Sequence, residues 1–468
     1  MLAYLLFWQH QIPRKNKAMN RRTFVKNTGL ATAGFAISPT ARFFIAPEPT
    51  VKLGFIGVGL RGQRHLDNAL QRKDVTVVAI CDIDEKMLER AGNLFKKAGK
   101  PLAKVFKGDV QAWKKMLELK ELDAVIISTP WEWHAPMIIG SLEAGIKYVG
   151  TEVMLGITLQ DHWDVVKAAE QHNAHVMMLE NVCYRRDVMA VLNMVRQGMF
   201  GELIHLQGGY QHDLRHVKFN NGQDNNHGGV EFGEKAFSEA RWRTEHSVHH
   251  NGDLYPTHGI GPVAEMLRIN YGNRFVSLNS FASKSRGLHE YIVKNGNEQH
   301  PNAKVEFKLG DVVTTQLRCA NGETVLLQHD TNLPRPYSLG FRVQGTKGIW
   351  MDINHSLYLE GVSKTNDDWE DAQTYLDKYD HPLWKRWSTA TEGAGHGGMD
   401  FFVLHAFIES IKRKTATPMD VYDGAVWSAI TPLSEKSIEL GNETVEFPDF
   451  TGGKWMYRKS AFALNDEY

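Results

Sequence analysis

Residues 51–62 read VKLGFIGVGLRG, an apolar run that ends in glycines spaced GxGxxG and opens into a segment of helical spacing. An apolar run bounded in this way reads as a strand buried on both faces, and such strands belong to parallel sheets covered by helices. The chain then repeats the alternation. VTVVAICD (Val75 to Asp82), LDAVIISTP (Leu122 to Pro130), IKYVG (to Gly150) and HVMMLEN (to Asn181) read as strands. Arg61 to Arg72, Asp84 to Lys97, Pro136 to Ala144 and Thr158 to His172 read as helices, the last with Thr158 as N-cap. Strands separated by helices imply an α/β domain over residues 51–180. Its sheet is parallel and doubly wound, with ligands at the carboxyl ends of the strands.

After Asn181 the texture changes. ELIHLQGGYQHD, VTTQLRCANGETVLLQHDT and LGFRVQGTKGIWMD alternate polar and apolar residues and are joined by turn pairs such as Asn321-Gly322. They imply a second, α+β domain over 181–468 with a largely antiparallel open sheet. Asn220 to His250, rich in Asn, Gly, His and charge, reads as a long loop of the kind that carries function. A chain of 468 residues has room for both domains.

Composition narrows the function. Lys+Arg and Asp+Glu are equal at 54 each, which leaves no basic footprint for nucleic acid or anionic lipid. Cys81, Cys183 and Cys319 are far apart and odd in number, which excludes a disulfide framework and a CxxC metal site. Residues 1–50 are set apart as a leader. Arg21-Arg22-Thr23-Phe24-Val25-Lys26 and the Gly/Ala/Thr-rich run behind it resemble a twin-arginine export signal, with Met19 an alternative start to Met1. The expectation is export, to the periplasm. The apolar run Leu30 to Ile37 is too short to span a bilayer.

Gly57, Gly59 and Gly62 are the glycines of the fingerprint, with Leu60 and Arg61 between them, in the strand-to-helix context that a dinucleotide site requires. Asp82 ends the next strand about 20 residues on, where a carboxylate accepts from ribose hydroxyls and repels a 2′-phosphate. The cofactor expected is NAD. STPWEWHAP reads as the loop leaving the strand that ends near Pro130, which would bring Trp131, Glu132, Trp133 and His134 against the nicotinamide half.

The fingerprint, STPWEWH, YVGTEV and the mixed second domain together resemble the glucose-fructose oxidoreductase, inositol dehydrogenase and MocA superfamily, whose members oxidise or reduce sugar carbons with NAD(P). The fifth strand there commonly ends in Glu-Lys-Pro, with the lysine near the reacting hydroxyl. Here Glu152 is kept and Val153 stands where that lysine would be. GTEVMLGITLQDHWDVV, MMLENVCYRRDVMAVLNMVRQGMFGE, GGYQHDLR, RWRTEHS, NGDLYPTHGIGP and HDTNLPRPYSLGFRVQGTKG resemble family 109 glycoside hydrolases, which are NAD-dependent α-N-acetylgalactosaminidases. The resemblance runs from about Val51 to beyond Gly398. It implies a glycan substrate with a terminal α-N-acetylgalactosamine. It also implies a route in which NAD⁺ takes hydride from sugar C3, a base removes the C2 proton, the C1 substituent leaves, water adds and the hydride returns. Such a cycle is hydrolysis without net redox change, so a cofactor loaded before export needs no recycling outside.

The resemblance places His258, Tyr210, Arg243, Tyr255 and Tyr337 at the sugar, with Pro256 and Thr257 beside His258, and Glu152, Val153 and Asn181 at the cofactor. His258 is the candidate base, since imidazole titrates near neutrality. The superfamily often pairs this His with an Asp; this chain has Pro256 there, so the expectation is a histidine without that partner. Tyr184, after a strand end and beside Arg185 and Arg186, is the second catalytic candidate. Arg241, two residues from Arg243, is open to exchanging roles with it. His246, His249 and His250 are reserve bases. His396 and Asp400, four apart, read as structural rather than as metal ligands. Two other functions stay open: an NAD-dependent sugar dehydrogenase, and a non-catalytic sugar-binding protein that retains NAD. A homo-oligomer is left open as well.

Overall fold

A computed structural model describes residues 50–223 and 228–468. The export stretch Arg21–Lys26 lies outside the described residues.

Six parallel strands form the first sheet: β1 (Val51–Ile56), β2 (Val75–Cys81), β3 (Lys104–Phe106), β4 (Ala124–Ile127), β5 (Tyr148–Thr151) and β6 (His175–Met178). Their order is β3-β2-β1-β4-β5-β6. The order reverses between β1 and β4, and ligands bind there in open α/β sheets. The intervening helices are α1 (Leu60–Gln71), α2 (Glu85–Lys97), α3 (Ala112–Leu117), α4 (Trp131–Glu143) and α5 (Leu159–Gln171). β4 is buried at all four positions, as the apolar run requires. Thr158 caps α5 in a reciprocal box with Asp161. The short edge strand β3 has three residues and no apolar pattern to announce it.

The second sheet has nine strands: β7 (Leu203–Gln211), β8 (Phe275–Ala282), β9 (Val312–Cys319), β10 (Thr324–Asp330), β11 (Arg342–Gly345), β12 (Gly348–Met351), β13 (Ser356–Leu359), β14 (Glu370–Asp371) and β15 (Val445–Glu446). It is antiparallel except for the pair β7–β10. The helix Thr257–Met266 crosses the face of β7 at backbone contact. A Cβ on Gly208 would lie 2.4 Å from the carbonyl oxygen of Gly259, and one on Gly259 would lie 2.4 Å from the amide nitrogen of Gly209. Only glycine permits that approach, and it sets His258 beside Tyr210 on β7.

Pieces of the second domain return to the first. The helices Met399–Arg413 and Val421–Glu439 pack against α1 and α5 respectively. Among the described residues no helix is long and apolar enough to cross a membrane.

Gly259→Ala should therefore force the helix off β7 and cost about 1–3 kcal/mol, the range for overpacking a core. The thermal midpoint should fall, and an unchanged midpoint would show that the contact is not needed.

Candidate active site

A cleft of about 540 Å³ opens at the carboxyl ends of the parallel strands and is closed on its far side by second-domain residues. Gly57, Gly59, Leu60 and Arg61 line its floor, Asp82 to Asp84 one end, and Tyr210, Arg243, Tyr255, His258 and Tyr337 the other. The glycines divide their work. Gly57 has φ +86°, and a Cβ there would meet the Ser128 carbonyl at 2.5 Å; a Cβ on Gly62 would meet the Gly57 carbonyl at 2.2 Å. Gly59 faces open space. Gly62 is buried in packing rather than lining the cleft, so its contribution to cofactor binding is the closeness of α1 to β1.

These residues fit a dinucleotide. The amino end of α1 supplies a positive dipole end beside the open Gly59 cradle. Asp82 accepts from the amides of Val58 (2.7 Å) and Asp84 (2.9 Å), which aims its carboxylate at the cleft end where a ribose belongs. Ser128 Oγ and Trp113 Nε1 are buried on the cleft wall with no hydrogen-bond partner among the described residues, as expected of groups that wait for a ligand. Trp113, Ile83, Met87 and Val110 form an apolar end suited to a base, and the sequence reading did not single them out.

STPWEWHAP is not a loop beyond Pro130: Trp131 to His134 form the first turn of α4. Pro136 does not start that helix but sits inside it, beyond the first turn, where it removes the hydrogen bond an amide there would make to the Glu132 carbonyl. Trp131, Glu132, Trp133 and His134 all line the cleft. His134 is buried between the carbonyl oxygens of Thr129 and Met154, and burial lowers its basicity. It is a fixed wall.

Arg61 bridges the domains. Its Nε donates to Glu152 at 2.6 Å and its Nη1 to Asp400 at 2.9 Å, while His65 meets the same Glu152 oxygen at 2.6 Å. Burial would raise the Glu152 carboxyl, but Arg61 and His65 hold it down at about 2. Val153 is buried beside it on the cleft wall, and among the described residues no lysine lines the cleft.

At the sugar end, Arg243 is gripped by Glu239 at 2.7 Å and lies over the rings of Trp131 (5.3 Å) and Tyr255 (4.8 Å). Arg241 is 3.8 Å from Asp84, at the nucleotide end, so the two arginines serve different halves of the cleft. The rings of Tyr210 and Tyr255 stand edge-on to His258 at 5.3 and 4.9 Å. Burial raises both phenols, so they are neutral donors at neutral pH. Tyr337 is half exposed at the mouth.

His258 has a partner that the sequence did not disclose. Its Nδ1 lies 2.7 and 2.8 Å from the two oxygens of Glu180, which is fully buried just beyond β6. A carboxylate only accepts, so Nδ1 carries the proton and Nε2 is left as the basic nitrogen. The expectation of an unpartnered histidine is corrected: the carboxylate comes from the first domain.

Tyr184 is also corrected. It lies in a 3-10 turn (Asn181–Tyr184) that folds its ring inward, 0% exposed, against Phe402 and Phe462. Burial pushes its phenol well above the ordinary range, and its oxygen has no partner among the described residues. It does not line the cleft. Pro256 and Thr257 do not line it either; both are buried, and they start the helix that carries His258. His246 faces Glu132 at 3.7 Å, His249 pairs with Glu245 and His250 with Glu435. Asp400 and His396 are 2.7 Å apart, and among the described residues no group of His, Cys, Asp and Glu could hold a metal ion.

A nucleotide-binding parallel sheet that shares its cleft with an aromatic, imidazole-bearing second domain defines an NAD-dependent enzyme acting on sugars. Residues 51–180 match the oxidoreductase family with an NAD-binding Rossmann fold, and residues 184–457 match the glycosyl hydrolase 109 C-terminal domain. A glycosyl hydrolase family 109 protein of Stenotrophomonas maltophilia is 57% identical over 96% of this chain and 100% of its own length. An alpha-N-acetylgalactosaminidase of Tannerella forsythia is 48% identical over 95% of this chain and 99% of its own. A levoglucosan dehydrogenase solved with NADH shares the fold at 18% identity, with a TM-score of 0.61 over 86% of this chain and 100% of that one. The chain belongs to glycosyl hydrolase family 109.

Glu180→Gln offers an amide donor to His258 Nδ1 and turns the imidazole to the other tautomer. Turnover should fall by about 10²–10⁴-fold, the size of losing a positioned base. Bound NAD, measured by mass after denaturation, should be unchanged; normal turnover would reduce Glu180 to a packing role.

Proposed function

We propose that this protein hydrolyses terminal α-N-acetylgalactosaminides by oxidation, elimination, addition and reduction around a retained NAD. The observation that carries the reading is the Glu180–His258 pair in an aromatic cage that, among the described residues, has no uncommitted pair of carboxylates. A conventional glycosidase needs two carboxyl groups about 5–9.5 Å apart, one of them protonated. Here the carboxylates nearest the cage each face a cation or imidazole: Glu239 faces Arg243, Glu152 faces Arg61, Glu180 faces His258 and Glu132 faces His246. Asp82 and Asp84 lie at the nucleotide end.

When bound, NAD supplies a reversible hydride acceptor, which allows the sugar C3 to stand as a ketone during the cycle. A C3 ketone makes the C2 hydrogen acidic, and His258 Nε2 is the basic atom this chain offers for it. The C1 substituent would then leave by elimination with a proton from solvent, water would add at C1, His258 would return to C2 a proton exchanged with solvent, and C3 would regain its hydride and hydroxyl proton. Arg243, fixed by Glu239 and two rings, has N–H groups left for an acetamido or hydroxyl oxygen. Tyr210 and Tyr255 present apolar faces and neutral hydroxyls to the pyranose. Val153 in place of a lysine disfavours the plain dehydrogenase reading, and a base with a fixed tautomer disfavours the binding-protein reading.

Export belongs to the same proposal. Arg21-Arg22 precedes a short apolar run, and the twin-arginine route carries folded proteins, so NAD would travel with the chain to the periplasm.

The isotopic test is made in heavy water. The released N-acetylgalactosamine should carry deuterium at C2, whereas a paired-carboxylate mechanism would leave C2 untouched. His258→Ala should lower kcat by about 10²–10⁴-fold and keep its NAD. Tyr184→Phe should leave kcat in the wild-type range, because the phenol faces the core.

A further inference from the structure

The glycine-rich stretch Gly393–Gly398 and the helix start behind it belong to the second domain, yet they close over α1. Asn68 of α1 donates to the carbonyl of Ala394 at 2.9 Å. Gly395 lies so close to Asp400 that a Cβ there would sit 2.8 Å from its Oδ2. Asp400 itself is 0% exposed in the first turn of the helix Met399–Arg413. Its Oδ2 accepts from Arg61 Nη1 (2.9 Å) and from His396 Nδ1 (2.7 Å), and its Oδ1 accepts from Asn181 Nδ2 (2.8 Å). Arg61 and Asn181 both line the cleft, whereas Asp400 does not.

A carboxylate accepts and never donates, so the orientation of the Asn181 amide is decided by Asp400. The NH₂ must face Asp400, which leaves the carbonyl Oδ1 for the cleft. We infer that Asp400 is a positioning residue for the cofactor: it presents Asn181 Oδ1 as an acceptor for a donor on the nicotinamide half, such as the carboxamide NH₂. The same carboxylate holds Arg61 beside the pyrophosphate cradle. The inference rests on NAD occupying the cleft.

The arrangement makes an unusual prediction, because Arg61 only donates. In Asp400→Asn the new amide must turn its oxygen to Arg61 and its NH₂ to position 181. Asn181 then has to turn its own oxygen toward position 400 and its NH₂ into the cleft. Every hydrogen bond inside the network is kept, but the cleft now meets a donor where it had an acceptor. Adding Asn181→Asp reverses this. The carboxylate accepts from the amide at position 400 with one oxygen and offers the other to the cleft.

The test chases bound NAD with isotopically labelled NAD and reads the label by mass after denaturation. Asp400→Asn should exchange at least about tenfold faster than wild type, the effect of about 1.4 kcal/mol and within the cost of an unmade hydrogen bond. The double variant Asn181→Asp/Asp400→Asn should return to within about threefold of wild type. Wild-type exchange in the single variant, or no recovery in the double, overturns the inference. Should the single variant not fold, the double variant is compared with Asn181→Ala, which offers no acceptor. The double must then exchange at least about tenfold slower, and equal rates overturn the inference. Wild-type protein that takes up no NAD would instead contradict the cofactor reading itself.

Discussion

One guanidinium, that of Arg61, is shared between Glu152 at the end of the parallel sheet and Asp400 in a helix of the other domain. A charge largely withdrawn from water is costly unless it is paired, so displacing either carboxylate would take from Arg61 one of its two charged partners. The fold around the site follows from that constraint. The first turn of α1, the exit of β5 and the Gly393–Asp400 segment are held at hydrogen-bond distance of one another. The cleft they enclose has a rigid floor on which a nucleotide can lie.

Glu180 and Asn181, adjacent in sequence just past β6, extend the same logic toward the chemistry. Glu180 reaches His258 and settles which ring nitrogen is basic; Asn181 reaches Asp400 and is oriented by it. The Glu180–His258 pair crosses between the domains, so in the proposed reaction the end of the parallel sheet would serve proton transfer as well as nucleotide binding. The glycine contact between β7 and the helix Thr257–Met266 sets His258 beside Tyr210, and Gly261 of the same helix, where a Cβ would lie 3.1 Å from Glu180 Cγ, lets the helix approach Glu180.

The first domain was legible because its signals are local. Apolar runs, helical spacing and the glycine fingerprint all act within a few residues, and the elements they mark are present, while β3, α3 and the first turn of α4 carry no such pattern. Thr158 as N-cap and Asp82 at the cleft were readable for the same reason. What the sequence concealed is long-range. Glu180 and His258 are 78 residues apart and Asn181 and Asp400 are 219 apart, so no motif connects them. Glu239 and Trp113 were likewise unmarked. Tyr184 was misplaced by a local argument: a residue after a strand end belongs near the cleft, but the 3-10 turn carries its ring into the core. The four residues Trp131–His134 were read as loop because two tryptophans and a proline obscure the helical spacing of the first turn.

In the proposed mechanism the oxidation state of a bound nucleotide decides hydrolysis. The most direct measurement loads the protein with NAD, reduces a portion in place with borohydride, and assays both portions for release of N-acetylgalactosamine without added nucleotide. The oxidised form should turn over continuously, and the reduced form should be inactive until it is reoxidised. Equal turnover by the two forms would show that the nucleotide is structural and that the glycosidic bond is broken in some other way.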